Sequence, residues 1–195
     1  LSVNIYPTIV FTINYIRHLL SECKLEYSSS SSEYILEACD VTVELGDEVI
    51  LHDINLSVKQ GDSIVLIGPS GGGKTVLLKT LAGIYEPTKG YVKCYGKKWS
   101  ELSSINRHDL ARHVGMQFQK AALFDDLNTL ENVEYPLREH TKMSEFEIKN
   151  RALECLEMVG LEKAKNLQPH ELSGGMRLRL GVARSIALKP EILFM

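Results

Sequence analysis

Eight consecutive residues, Gly68-Pro69-Ser70-Gly71-Gly72-Gly73-Lys74-Thr75, restrict what this chain can fold into more than any other segment. They complete the pattern G-x-x-x-x-G-K-[ST], and their flanks match what that pattern needs. Before them, Ser63-Ile64-Val65-Leu66-Ile67 is a short apolar run suited to a strand buried on both faces. After them, Val76 to Ala82 reads as a helix stopped by Gly83. Between strand and helix, glycines let successive backbone N–H groups turn toward a pyrophosphate with no Cβ in the way, and the helix N-terminus adds its partial positive charge. Lys74 is then placed to reach the β- and γ-phosphates, and the Thr75 hydroxyl to ligate Mg²⁺. A glycine-rich turn that binds nothing would need neither the flanking elements nor the Lys-Thr pair.

Two further segments follow. Leu172-Ser173-Gly174-Gly175-Met176 opens another helix, with Ser173 a good N-cap and Gly174 and Gly175 leaving N–H groups bare for an anion. Taken alone it is equally an ordinary capped helix start. Between the two lies His113-Val114-Gly115-Met116-Gln117-Phe118-Gln119, followed by Ala122-Leu123-Phe124 and Thr129-Leu130-Glu131-Asn132-Val133. A glutamine after a short strand is usually a solvated loop residue, and only its company singles out Gln119, with Gln117 the near miss.

In this order and at this compact spacing the three segments resemble the phosphate loop, Q-loop and LSGG signature of the ABC ATPases, over roughly residues 35 to 195. The resemblance implies an α/β P-loop NTPase fold with an antiparallel β subdomain and a helical subdomain inserted at about 120–170. It implies ATP and Mg²⁺ as cofactors, held by Gly68, Pro69, Ser70, Gly71, Gly72, Gly73, Lys74 and Thr75. Gln119 would contact Mg²⁺ and the attacking water. Ser173, Gly174 and Gly175 would serve the nucleotide of a second copy, so that a homodimer completes the site. Phosphoryl transfer to water needs positioning and charge neutralisation more than covalent chemistry, which suits catalytic roles for Lys74 and Gln119. An ATPase of this kind works with an integral membrane permease, peripherally on the cytoplasmic face of the membrane. Tyr135-Pro136-Leu137-Arg138-Glu139-His140-Thr141, the segment Ala121 to Leu127, and Met176 where glutamine is usual are similar to the Mla/Mce-type phospholipid-transport ATPases, implying lipid cargo and lipid-binding accessory subunits. Two other readings stay open: an ABC ATPase of DNA repair or translation, and a nucleotide-binding remnant without catalysis.

The departures from the family pattern are specific. Leu45 falls where an aromatic residue normally stacks on adenine. Glu191-Ile192-Leu193-Phe194-Met195 reads as the strand that precedes the family's Mg²⁺-binding Asp and catalytic Glu, and the sequence stops there. The chain, opening with Leu1, reads as a fragment cut at both ends: a C-terminally incomplete fold, expected to bind Mg-ATP weakly and not to hydrolyse it alone. All six histidines precede that strand, so none fits the family's switch position.

Residues 1–33 read as a leader ending in the serine run Ser28 to Ser32, with residues 34–195 forming one nucleotide-binding domain. The apolar stretch Ile9 to Leu20 is interrupted by Asn14, Arg17 and His18 and is shorter than the about 20 residues that span a bilayer. With 22 basic against 25 acidic residues the net charge is −3, which gives no electrostatic case for nucleic acid. Cys23, Cys39, Cys94 and Cys155 are scattered, suggesting neither a metal site nor a disulfide scaffold. Strands are expected over 34–58 with a turn at Gly46-Asp47, and over 91–95. Ser144 and Glu147 form a capping box for a helix whose stripe Ile148, Ala152, Cys155, Leu156, Val159 is core. Arg177, Arg179 and Arg184 are expected on a solvated or intersubunit face of the helix after the signature. If Leu45 does occupy the adenine position, Leu45→Tyr tightens nucleotide binding by ~1–3 kcal/mol, the usual worth of base–aromatic stacking. Unchanged affinity on titration would place adenine elsewhere.

Overall fold

The computed structural model describes residues 33–117 and 121–195. The expected leader, except Glu33, and the segment Phe118-Gln119-Lys120, with the expected water-orienting glutamine, lie outside the described residues. The chain forms two compact units, one ending at His108 and the other continuing from Asp109 to Met195.

The first unit is built on an antiparallel hairpin, β1 (Leu36–Leu45) and β2 (Glu48–Val58), which reverses at Gly46, φ 63°, as the Gly-Asp pair suggested. β3 (Lys89–Cys94) pairs antiparallel with the other edge of β1, and β4 (Lys97–Lys98) with β3, giving the order β2-β1-β3-β4. Strict alternation would carry the inward face of β1 from Leu36 and Ala38 to Asp40. An irregularity in the register between Ala38 and Val41, with Asp40 at φ 49°, resets the parity, so that Val41 and Val43 are buried instead. Asn55 braces this bulge: its side chain accepts from the Asp40 N–H at 3.0 Å and donates to the Asp40 carboxylate at 2.9 Å. Helix α1 (Lys74–Leu81) follows the glycine loop and ends where expected, with Gly83 at φ 74°. The Trp99 indole donates to Leu81 O at 3.2 Å, and its ring lies 2.6 Å from where a Cβ on Gly83 would be. Gly83 is therefore required twice, by its backbone angle and by the indole.

One expected element is corrected. Ser63 to Ile67 is not a strand: no strand among the described residues pairs with it, Ile64 to Leu66 are only half-buried, and Ile67 is 61% exposed. An apolar run makes burial favourable, but a strand exists only where a neighbour supplies its hydrogen bonds, which the local pattern cannot report.

In the second unit, reached through α2 (Ser104–Ala111), β5 (Val114–Met116) pairs in parallel with β6 (Ile192–Phe194). Helices α3 (Thr129–His140), α4 (Glu145–Met158) and α5 (Gly174–Ile186) complete the unit. The expected stripe of α4 is buried, packed with Val133 and Leu137 of α3 and with Leu180, Ala183 and Ile186 of α5 in one core. Both α3 and α4 begin with full capping boxes, Asn128 with Glu131 and Ser144 with Glu147. Asn132, fully buried, holds the preceding turn: its amide accepts from Phe124 N–H and donates to the carbonyls of Phe124, Leu127 and Asn128 at 2.8–3.0 Å. No helix among the described residues is long and apolar enough to cross a membrane.

Asn132→Ala removes the amide from Phe124 N–H and Leu127 O, while Phe124 O and Asn128 O keep the Leu127 and Asn132 N–H donors, and should cost about 2–3 kcal/mol in urea unfolding. Hydrogen bonds from Ser144 hold the Glu147 carboxyl below its ordinary value. A folded-state value below the unfolded one stabilises above the ordinary carboxylate range and is lost as pH falls through it. The stability difference between the parent and Glu147→Gln, followed by unfolding at several pH values, should therefore shrink below about pH 4.

Candidate nucleotide-binding site

The phosphate loop lies in the first unit. Gly71 and Gly73 sit at φ 79° and 80°, in the left-handed region that side chains avoid. A Cβ on Gly73 would stand 2.9 Å from the Leu51 side chain and 3.1 Å from the Ile50 carbonyl oxygen, so the loop rests directly on β2. The Gly72 N–H closes a turn onto Pro69 O at 3.1 Å, and the Lys74 ammonium curls over the loop, donating to Gly68 O at 2.9 Å and Pro69 O at 2.6 Å. This keeps one full positive charge inside the curve of the loop. No side chain caps α1 at Gly73 and no acidic residue stands in its first turn, so the orphan donors of the helix start are not taken up by the protein's own carboxylates.

The donor set fits ATP with Mg²⁺. Thr75 is exposed at the first turn of α1. Among the described residues no cluster of three His, Cys, Asp or Glu could cage a metal. Mg²⁺ characteristically binds through one or two protein oxygens together with phosphate and water, the arrangement Thr75 allows. Leu45, 47% exposed, ends the strand of the hairpin on which the loop rests.

The signature lies in the second unit. Ser173 is the N-cap of α5, its Oγ accepting from the Met176 N–H at 3.3 Å, and Arg177 reaches back to Leu172 O at 2.5 Å. Gly174 and Gly175 are exposed, and a Cβ on Gly175 would meet nothing within 4 Å. The first turn of α5 again lacks an acidic residue. Open space therefore lies over Gly175, while the Met176 N–H is taken by the Ser173 cap.

The arginine expectation holds for only part of the set. Arg179 is exposed, but Arg184 is turned inward: its guanidinium donates to Ala121 O at 2.6 Å and lies 5.5 Å over the Phe124 ring, and burial lowers its pKa. Arg184 thus meets a loop residue 63 positions earlier in sequence, while Arg177 and Arg179 stay exposed, a division that helical spacing alone cannot show. Gln117, set aside in favour of Gln119, also has a defined place. Its backbone N–H donates to Phe194 O and its side chain to Leu178 O, both at 2.9 Å, tying the exit of β5 to β6 and to α5. Gly181 makes room for this, since a Cβ there would come within 3.1 Å of Ala121 and 3.4 Å of the Gln117 amide. A glycine inside a helix was the available signal.

Gly73→Ala should lower Mg-ATP affinity at least about tenfold, because a left-handed alanine costs of order 1–3 kcal/mol and the added methyl meets a backbone oxygen. Calorimetric titration measures it, and an unchanged far-UV spectrum shows that the hairpin survives.

Comparison with known proteins agrees with this geometry. The profile of the ABC transporter family matches residues 51–195. The chain is 41% identical over 162 residues to an intermembrane phospholipid transport system ATP-binding protein, MlaF, of Haemophilus influenzae, covering 83% of this chain and 61% of that protein. It is 39% identical over 178 residues to the chloroplastic protein TRIGALACTOSYLDIACYLGLYCEROL 3 of Arabidopsis thaliana, covering 88% and 51%, and 39% identical over 158 residues to a probable ribonucleotide transport ATP-binding protein, mkl, of Mycobacterium leprae, covering 81% and 46%. The chain thus spans between about half and three-fifths of the length of these relatives. Among solved structures, the ATP-binding cassette MJ0796, seen as a dimer with ADP and Pi, superposes with a TM-score of 0.75 at 36% identity, covering 81% of this chain and 72% of that one. A P-loop fold with an antiparallel β sheet, a family profile over three-quarters of the sequence and relatives near 40% identity lead to one conclusion: the chain belongs to the ABC transporter family.

Proposed function

We propose that this chain binds Mg-ATP and is the ATP-hydrolysing subunit of a transporter. The observation that carries the reading is the phosphate loop itself: two left-handed glycines, an uncapped helix start and a Lys74 ammonium folded onto Gly68 O and Pro69 O occur within eight residues. In the reading, residues Gly68 to Thr75 cradle the β- and γ-phosphates, and Lys74 exchanges its two carbonyl contacts for phosphate oxygens as charge builds there. Thr75 would hold Mg²⁺, which when bound would supply charge neutralisation. Gln119, assigned by the family resemblance, orients the attacking water. Ser173, Gly174 and Gly175 offer their donors to the γ-phosphate held by a second copy, which makes a homodimer the working unit. The open space over Gly175 and the acid-free first turn of α5 support that role.

The cargo we assign is phospholipid moved between membranes, with a permease and lipid-binding accessory subunits as partners and a peripheral position on the cytoplasmic face. The name of the Haemophilus relative supports this, while that of the mycobacterial relative favours ribonucleotide as a second reading.

Lys74→Ala in the full-length protein should abolish ATP turnover while leaving part of the nucleotide affinity, since the backbone donors remain; turnover at the parental rate would remove the phosphate-loop assignment. With its permease in vesicles, the protein should drive ATP-dependent transfer of fluorescent phospholipid. ATP-dependent uptake of ribonucleotide without lipid transfer would replace the lipid reading with the other.

A further inference from the structure

The signature occupies one end of α5, and what holds the opposite end is an arginine that no motif singles out. Arg151, on α4, is 9% exposed. Its guanidinium donates from Nη2 to Ile186 O at 3.0 Å and from Nε to Ala187 O at 3.1 Å, while Nη1 meets the Glu154 carboxylate at 3.2 Å. Ile186 is the last residue of α5 and Ala187 its C-cap. These are carbonyls that a helix end leaves without intrahelical partners, at the negative pole of its dipole. A planar fork with donors in fixed directions matches two successive carbonyls, whereas a lysine ammonium can supply the charge but not the fork.

The geometry matters because α5 is a lever. Its 13 residues rise about 20 Å, so a tilt of about 3° at the C-terminal end shifts the first turn by roughly 1 Å. Displacements of that size at a reacting phosphate can cost about a hundredfold in rate. Ser173, Gly174 and Gly175 are themselves exposed, and only their neighbours Leu172, buried, and Met176, partly buried, reach the core. Beyond the Leu172 anchor, the direction of the helix axis is set by its middle and far end, where Leu180, Ala183 and Ile186 are buried in the core shared with α4 and Arg151 holds the terminus.

We propose that Arg151 is a positioning residue for the signature: by clamping the last carbonyls of α5 to α4, it sets where Ser173, Gly174 and Gly175 point, and so acts on the nucleotide bound by the partner's phosphate loop. The proposal rests on the reading of the signature as a γ-phosphate site. It separates two quantities that a general loss of stability would move together. Nucleotide binding to the phosphate loop of the same chain is independent of Arg151, whereas ATP-driven dimerisation and turnover depend on it.

The test uses the full-length protein with Arg151→Lys and Arg151→Met, and with Lys74→Ala as the reference. Arg151→Lys should bind Mg-ATP within about twofold of the parent, while kcat falls about tenfold or more and ATP-driven dimerisation weakens in parallel. Its Tm should stay close to the parent's, because the ammonium still neutralises the buried helix end. Arg151→Met should lose both Tm and kcat, and if it does not fold, Arg151→Lys carries the test. Parental kcat in Arg151→Lys, or losses of kcat that follow Tm in proportion across both variants, would overturn the positioning role. Parental turnover in Lys74→Ala would instead overturn the underlying site reading, so the two failures are distinguishable.

Discussion

Orphan backbone donors at helix starts are the constraint around which this protein is arranged. Every helix begins with N–H groups that no earlier turn can accept. In α3 and α4 those donors are consumed by capping boxes, with Glu131 and Glu147 placed at the positive pole. In α1 and α5 they are preceded or formed by glycines and face no carboxylate. An acid-free first turn is not by itself a site, since α2 also has one and the Ser103 hydroxyl takes up its Asn106 N–H. What distinguishes α1 and α5 is that bare glycine backbone lets an anion approach the donors, and that in α1 a lysine lies over the same surface.

Such starts are not self-supporting, and the rest of the structure supports them. The loop before α1 rests on Ile50 and Leu51 of β2, whose partner β1 buries Val41 and Val43 beyond the bulge at Asp40. The far end of α1 is covered by Trp99, which takes the Leu81 carbonyl. For α5 the support comes from the side and the rear: Gln117 to Leu178, Arg184 to Ala121, and the buried face shared with α4. In both cases the exposed start of the helix is followed by closely packed, hydrogen-bonded structure further along it.

How much of this was legible follows the range of the interactions. The glycine loop, the two serine N-caps, the Gly46-Asp47 turn and the α4 stripe are specified by residues a few positions apart, and helix or turn geometry converts that spacing directly into shape. The misreadings at Ser63–Ile67 and Arg184 share a cause. A strand needs a partner supplied from elsewhere in the chain, and the acceptor of Arg184 lies 63 residues away. In the sequence Asn132 is one polar residue of a helix start, and nothing in its neighbourhood announces that four backbone groups of a turn converge on one amide.

By itself, then, the sequence determined the chemistry of the ends: which helix starts are bare, where lysine and threonine stand, and which segments resemble the ABC family. Those are covalent and local facts, and glycine, proline and capping residues act within a turn of where they occur. Only the tertiary structure decided which polar residues hold those ends in place. Arg151, Arg184 and Gln117 look like ordinary surface side chains until packing brings each to a carbonyl 35 to 63 residues distant. The physical reason is that a buried guanidinium or amide is stable only where acceptors already await it, and the position of those acceptors is set by the packing of whole helices.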